Sequence, residues 1–216
     1  MFSTLYFGVA SRPQWRTKMV QQTASNTIGP FFHHVITPKG YKQKGIVDNN
    51  MVGKNTRGER IKVAGQIIGS NGKPLRAAML EIWQANSVGR YKSLIDDRNE
   101  LRLDKDFSGF GRVAAENKGK FEFQTIKPGQ VPSIGNTLQA PHINLVLFAA
   151  AMDSHLFTRL YFSDEIRSND LDPVLTSVPE DRRDTLIAIR KKSQRGTSYR
   201  FDIKLGGDEE TVFFDV

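Results

Sequence analysis

The chain has 216 residues, enough for one domain with or without extensions, and its lack of cysteine excludes disulfides, thiolate metal sites and cysteine nucleophiles. No apolar run approaches the ~20 residues that span a bilayer. Its net charge of +8 gathers in two runs, seven basic residues over 39–62 and eight over 182–204, which suit an anionic substrate or an acidic partner chain; neither run interleaves the stacking aromatics that single-stranded nucleic acid requires.

Residues 1–18 place their apolar stretch before Arg12, Arg16 and Lys18. A secretory signal has the reverse order, so they read as a disordered extension or an over-extended reading frame, with Met19 as the alternative start. Residues 19–60 are polar, rich in Gly, Asn and Lys, and weakly periodic; they read as an arm that contacts a partner subunit. From 61 onward the pattern is β. Strands are predicted over 61–68, 78–84, 111–115, 120–126, 142–149, 157–162, 186–191, 198–204 and 211–215, divided by Gly, Pro, Asn and Asp clusters. Asn71-Gly72 predicts a hairpin joining the first two. The one helix predicted, over 179–186, opens on Glu180 and Asp181 as the helix dipole favours. The fold expected for 61–216 is all-β: a two-sheet β-sandwich of about eight to nine strands with a long N-terminal arm and little helix.

No Gly-rich phosphate loop, serine nucleophile elbow or His-Glu-x-x-His helix is present. Nitrogen ligation of a metal must draw on His33, His34, His142 and His155. On a strand, residues i and i+2 share a face, so a His-x-His would set two imidazoles side by side. Here the pair is His142 and Asn144. In a β-sandwich this strand would converge with two others: 83–91, ending in a Gly turn that presents Tyr91, and 125–132, ending in a Pro-Gly turn. On local grounds Tyr91 and His142 read as half-buried residues with ordinary hydrogen bonds, Asn144 as bonded to neighbouring backbone, and Trp83 as a core anchor. His33 and His34 read as surface residues, and His155 as a residue near an interface without chemistry.

The motifs EIWQANSVGRY, TIKPG, APHIN, HLFTRLYF, FDI and ETVFFDV, in this order, resemble the intradiol ring-cleaving dioxygenases over about residues 21–216. The resemblance implies a non-haem Fe(III) centre held by two tyrosinates and two histidines; hard phenolates and imidazole suit ferric iron. Carried over singly, the ligands fall on Tyr91, Val131, His142 and Asn144, and an arginine expected before the His-x-His falls on Gln139. Two of four ligands are lost. Heteromeric members of the family pair an iron-free α chain with a homologous iron-binding β chain, and this pattern of departures matches the α chain. The resemblance therefore implies no metal and no catalytic residue on this chain, with the Fe(III) cofactor on the partner β subunit. It further implies an arm, at Thr27, Gly29, Pro30 and Phe31, that lines the partner's pocket for an aromatic carboxylate. Phe31 stands where the family has a tyrosine, and Ala150 where it has an arginine. The expected setting is cytoplasmic, without nucleic acid or membrane. Alternative readings are a divergent, self-sufficient dioxygenase with a reduced site at Tyr91 and His142, and a non-enzymatic β-sandwich binding module.

Overall fold

The computed structural model describes residues 47–115, 117–150, 152–193 and 196–215. The 1–18 extension and the arm positions Thr27, Gly29, Pro30, Phe31, His33 and His34 lie outside the described residues.

The described residues form β1 (Arg60–Ile68), β2 (Ala78–Trp83), β3 (Phe110–Ala115), β4 (Lys120–Ile126), β5 (Val131–Pro132), β6 (Leu138–Gln139), β7 (His142–Ala149), β8 (Leu156–Phe162), β9 (Ile187–Ser193), β10 (Gly196–Arg200) and β11 (Ile203–Lys204). Strict alternation in β1, β3 and β4 buries every second side chain, as a strand with one face on a core requires. Hydrogen bonds link nine strands in the order β4-β1-β10-β9-β8-β7-β2-β3, with β11 continuing beside β1 past β10. The chain is mostly β, as expected, but its hydrogen bonding runs through one mixed nine-stranded sheet, with β5 and β6 forming a small second sheet. The two halves of the large sheet join through only two residue pairs of β8 and β9, Tyr161 with Ile187 and Phe162 with Ala188.

Both halves feed one core, which includes Ile61, Val63, Phe121 and Phe123 from one and Leu80, Ile82, Leu145 and Leu147 from the other. The sheet's ends, β3 and β4, follow one another in sequence, and residues 48–51 stitch them together. Asp48 O accepts from Arg112 N of β3 at 3.1 Å, Asn49 O from Gln124 N of β4 at 2.8 Å, and Met51 N donates to Gln124 O at 3.0 Å. The last stretch of the predicted arm therefore lies within the sheet's hydrogen bonding.

The predicted hairpin does not form. Asn71-Gly72 does make a tight turn, with Gly72 at φ 71° and Gly69 N donating to Lys73 O at 2.8 Å. But β1 already has β4 on one side and β10 and β11 on the other, so no edge is left for β2, which pairs with β3 and β7. The strand predicted over 198–204 divides into β10 and β11, because Asp202 Oδ1 takes the Gln66 N–H at 2.9 Å in place of a carbonyl. Residues 211–215 form no strand and touch the sheet through a Phe157–Phe214 bridge.

Of three short helices, α1 (Ile166–Leu171) packs near β6 and β8, α2 (Pro173–Ser177) packs near β6, and α3 (Glu180–Arg183) packs against α2; a 3-10 turn over Asp184–Leu186 completes the helical stretch predicted at 179–186. The first two were not anticipated, although Asp172-Pro173 is a start signal. Asp172 caps α2 by accepting from Val174 N and Leu175 N, both at 2.8 Å, and Pro173 fits the first turn. Among the described residues of the basic run over 182–204, Arg190 pairs with Asp164 at 2.9 Å, Arg200 with Asp202 at 2.9 Å, and Lys204 with Glu209, while Arg182 donates to Glu210 O at 2.7 Å. No helix of the described residues is long and apolar enough to cross a membrane.

Candidate functional site

The site lies on the outer face of the β2-β7-β8 half. In β7, Ile143, Leu145 and Leu147 enter the core, so His142 and Asn144 point the other way. They are buried all the same, because loops cover that face. Trp83 pairs in register with Asn144. Its assignment to the core is corrected: β2 spends its inward positions on Ala78, Leu80 and Ile82, so Trp83 faces outward and is 39% exposed. Its indole stacks on the Tyr91 ring, 6.1 Å between centroids and 11° between planes, and meets Phe110 edge-on at 5.9 Å.

Two loops are locked together above this face. Thr125 Oγ1 donates to buried Gln84 Oε1 at 2.6 Å, while Gln84 Nε2 donates to Ile126 O at 3.0 Å. Gly129 N donates to Asn86 O at 2.9 Å. Gly89 has φ 81°, and a Cβ there would sit 1.9 Å from Gln130 O. Only glycine permits that approach, which brings the Tyr91 loop against the Val131 turn. The three sequence segments expected to converge do so.

Tyr91, Val131, Gln139, His142 and Arg159 line one pocket of about 320 Å3, together with Ile95, Asp96, Asp97, Arg98 and Pro132. Asp96 fixes the Tyr91 backbone by accepting from its N–H at 2.7 Å, and is itself gripped by both sides of Arg98. That guanidinium holds the Asp96 carboxyl down at about 2. Burial raises the Tyr91 phenol above its ordinary value, against the opposing pull of Arg159 and of a hydrogen bond from Asn144. His142 Nδ1 lies 2.8 Å from Ala140 O, which can only accept, so Nδ1 carries the proton. Burial first, and Arg159 second, push the His142 pKa down to about 4, leaving the imidazole neutral at pH 7. Behind it, Tyr161 is fully buried and its phenol is driven strongly upward by burial and by Asp172.

The donors at the four ligand positions are thus a phenol, an imidazole and a neutral amide, since Val131 offers none. This set does not fit a ferric ion, and among the described residues no three His, Asp or Glu side chains form a metal-binding group. Asn144 does not bond neighbouring backbone as expected; its Oδ1 is buried without a hydrogen-bond partner. His155 is exposed and stacks on Phe148, 5.7 Å away. The residue that sequence reasoning missed is Arg159. The β7–β8 register sets it opposite Asn144, and Tyr161 opposite His142. Strand alternation read through that pairing would have placed both on the site face.

The family model described as Dioxygenase_C, a dioxygenase, matches residues 27–207. The chain belongs to the intradiol dioxygenase family. Within it, the chain is similar to the α chain of protocatechuate 3,4-dioxygenase: it is 37% identical to that of Burkholderia cepacia over 91% of this chain and 98% of the relative. It is also 37% identical to the β chain from the same organism, over 71% of this chain and 67% of the relative. Among solved structures, the dioxygenase domain of a dioxygenase–carbohydrate-binding fusion from Streptomyces sp. SirexAA-E superposes with a TM-score of 0.54 at 25% identity, covering 74% of this chain and 88% of that one.

Proposed function

We propose that this chain is the iron-free α-type subunit of a heteromeric protocatechuate 3,4-dioxygenase. Ring cleavage of 3,4-dihydroxybenzoate by O₂, giving 3-carboxy-cis,cis-muconate, would take place on a homologous β chain. The observation that carries this reading is the paired absence of an iron ligand at Val131, in the pocket that Tyr91 and His142 line, and at Asn144 beside Tyr91. The resemblance to both an α and a β chain supports the heteromeric assembly. On the partner, a ferric ion would supply the Lewis-acidic centre that binds the catechol and makes its ring open to O₂.

This chain's contribution is proposed to be the arm over 19–60, with 61–216 as the supporting domain and 1–18 as an extension outside the function. Thr27, Gly29, Pro30 and Phe31 would line the partner's pocket. A Gly-Pro turn brings backbone and one aromatic ring close to a ligand without adding a charge, which suits an anionic substrate. With phenylalanine at 31 and alanine at 150, the carboxylate would be held by groups of the β chain. The cytoplasm is the proposed setting. Co-expression with the neighbouring β homologue tests the assembly: the two chains should co-purify, and the β chain should lose stability or activity alone. A β chain equally stable and active by itself contradicts the proposal.

A further inference from the structure

Asn71-Gly72, a hairpin signal in the sequence and a turn that closes no hairpin in the fold, brings a side-chain amide and a backbone nitrogen into a reactive arrangement. Asn71 is the only asparagine of the chain that glycine follows. Asn71, Gly72, Lys73 and Pro74 are all exposed, and a Cβ built on Gly72 would meet nothing within 4 Å. Asn71 Oδ1 accepts from Lys73 N at 2.9 Å. An oxygen bonded two residues ahead bends the side chain forward over the intervening peptide, here that of Gly72. The same bond polarises the side-chain carbonyl and steadies negative charge that develops on Oδ1 when a nucleophile attacks its carbon. The nucleophile at hand is Gly72 N, and the missing side chain leaves the approach to it clear.

Other asparagines lack this combination. Asn86, Asn144 and Asn169 are buried. Asn136 is exposed in the turn between β5 and β6, but Thr137 follows it, and a branched side chain crowds the attacking nitrogen. One contact opposes the reaction at Asn71: Gly72 N donates to Gly69 O at 2.9 Å. That bond must open before the nitrogen is free to attack.

We propose that Asn71 is a site of spontaneous backbone modification, where the side-chain amide is lost through a cyclic imide formed with Gly72. Gly72 N gives up its proton and bonds to Asn71 Cγ; the Cγ–Nδ2 bond breaks, and the nitrogen leaves as ammonia carrying that proton. Water then opens the ring at either carbonyl, leaving aspartate or isoaspartate. One water is consumed, one ammonia is released, no atom is oxidised or reduced, and the chain gains one negative charge. Isoaspartate lengthens the main chain by one carbon within the turn. Just below it Leu75 N donates to Ile67 O at 2.8 Å, and β4, β10 and β11 hold β1 on both sides, so the change is confined to the turn.

Incubation of the full-length chain in mildly alkaline buffer at body temperature tests this, followed by peptide mass mapping that separates the isoaspartyl form. The expected result is amide-to-acid conversion at Asn71 ahead of every other asparagine, with isoaspartate in excess of aspartate and a rate that rises with pH. Opening one turn bond should slow the folded chain by about tenfold at most relative to a free peptide of residues 67–75. Gly72→Ser crowds the nitrogen and should slow conversion severalfold. No conversion at Asn71, faster conversion at another asparagine, a folded chain slowed far beyond tenfold, or a Gly72→Ser chain that converts like the wild type would each overturn the proposal. A melting temperature that falls as conversion proceeds would overturn its confinement to the turn. The wild-type measurements decide the matter whether or not Gly72→Ser folds.

Discussion

Arg159 of β8 donates a 2.7 Å hydrogen bond to Gln139 of β6 at the edge of the site pocket. Family resemblance leads one to expect a guanidinium at position 139. Here that position holds an amide, and the guanidinium faces it from the neighbouring strand. The Arg159 guanidinium acts on Tyr91 and His142, opposing the Tyr91 upshift and adding to the His142 downshift.

His142 should make the fold sensitive to mild acid. Its pKa of about 4, set by burial and then by Arg159, lies below the ordinary value of about 6.5. The unfolded chain therefore takes up a proton that the folded chain refuses. Stability is complete above about pH 6.5 and falls as pH drops toward about 4, by about 3 kcal/mol in all. Urea unfolding across that window should show the slope in the wild type and lose it in His142→Gln. An unchanged slope in the variant would assign the effect elsewhere.

Gly89→Ala should separate the two site loops. The added Cβ would meet Gln130 O at 1.9 Å from a residue held at φ 81°. A cost of about 2 kcal/mol or more is expected in chemical unfolding. A variant within about 0.5 kcal/mol of the wild type would mean that the loops part without penalty.

Asp172 carries four hydrogen bonds from three segments: Ala140 N, Val174 N, Leu175 N and Tyr161 OH. Asp172→Ala leaves these donors unmet in a fully buried place and should cost about 3 kcal/mol. Asp172→Asn keeps an acceptor for the cap, so it should lose measurably less. Equal losses in the two variants would show that packing, not the cap, is what matters.

Lys127 joins Asp164 at 2.8 Å and Glu165 at 2.6 Å, with its side chain only 15% exposed. Burial works against the Asp164 charge, but Lys127 and Tyr199 outweigh it and hold the carboxyl below its usual value. Lys127→Met would leave Asp164 to Arg190 and the Tyr199 hydroxyl and take from Glu165 its ion-pair partner, at a loss of about 1–3 kcal/mol. Thermal melts at neutral pH read this directly, and a Met variant as stable as the wild type would contradict it.

Much of the fold was legible because strands announce themselves by alternation: the stretches at 120–126 and 142–149 match β4 and β7 residue for residue. Partner choice was not, since Asn71-Gly72 encodes a turn and says nothing of whether an edge of β1 is free. The site was half legible. Tyr91, Val131, His142 and Gln139 do share a pocket, but Arg159 became visible only through the β7–β8 register. Trp83 was misplaced because a large aromatic in a strand looks like core until the inward set of β2 is known. The loops over 83–91 and 127–132 owe their positions to side-chain and glycine contacts far apart in sequence, which periodicity cannot register.

The central claim is that this chain shapes a dioxygenase whose iron lies next door. Its most direct test is elemental iron together with O₂ uptake on protocatechuate, measured for the chain alone, the homologous β chain alone and the two co-purified. The account predicts no stoichiometric iron and no turnover for this chain, about one iron per αβ pair in the complex, and full activity only there. Stoichiometric iron with turnover in this chain by itself would contradict it.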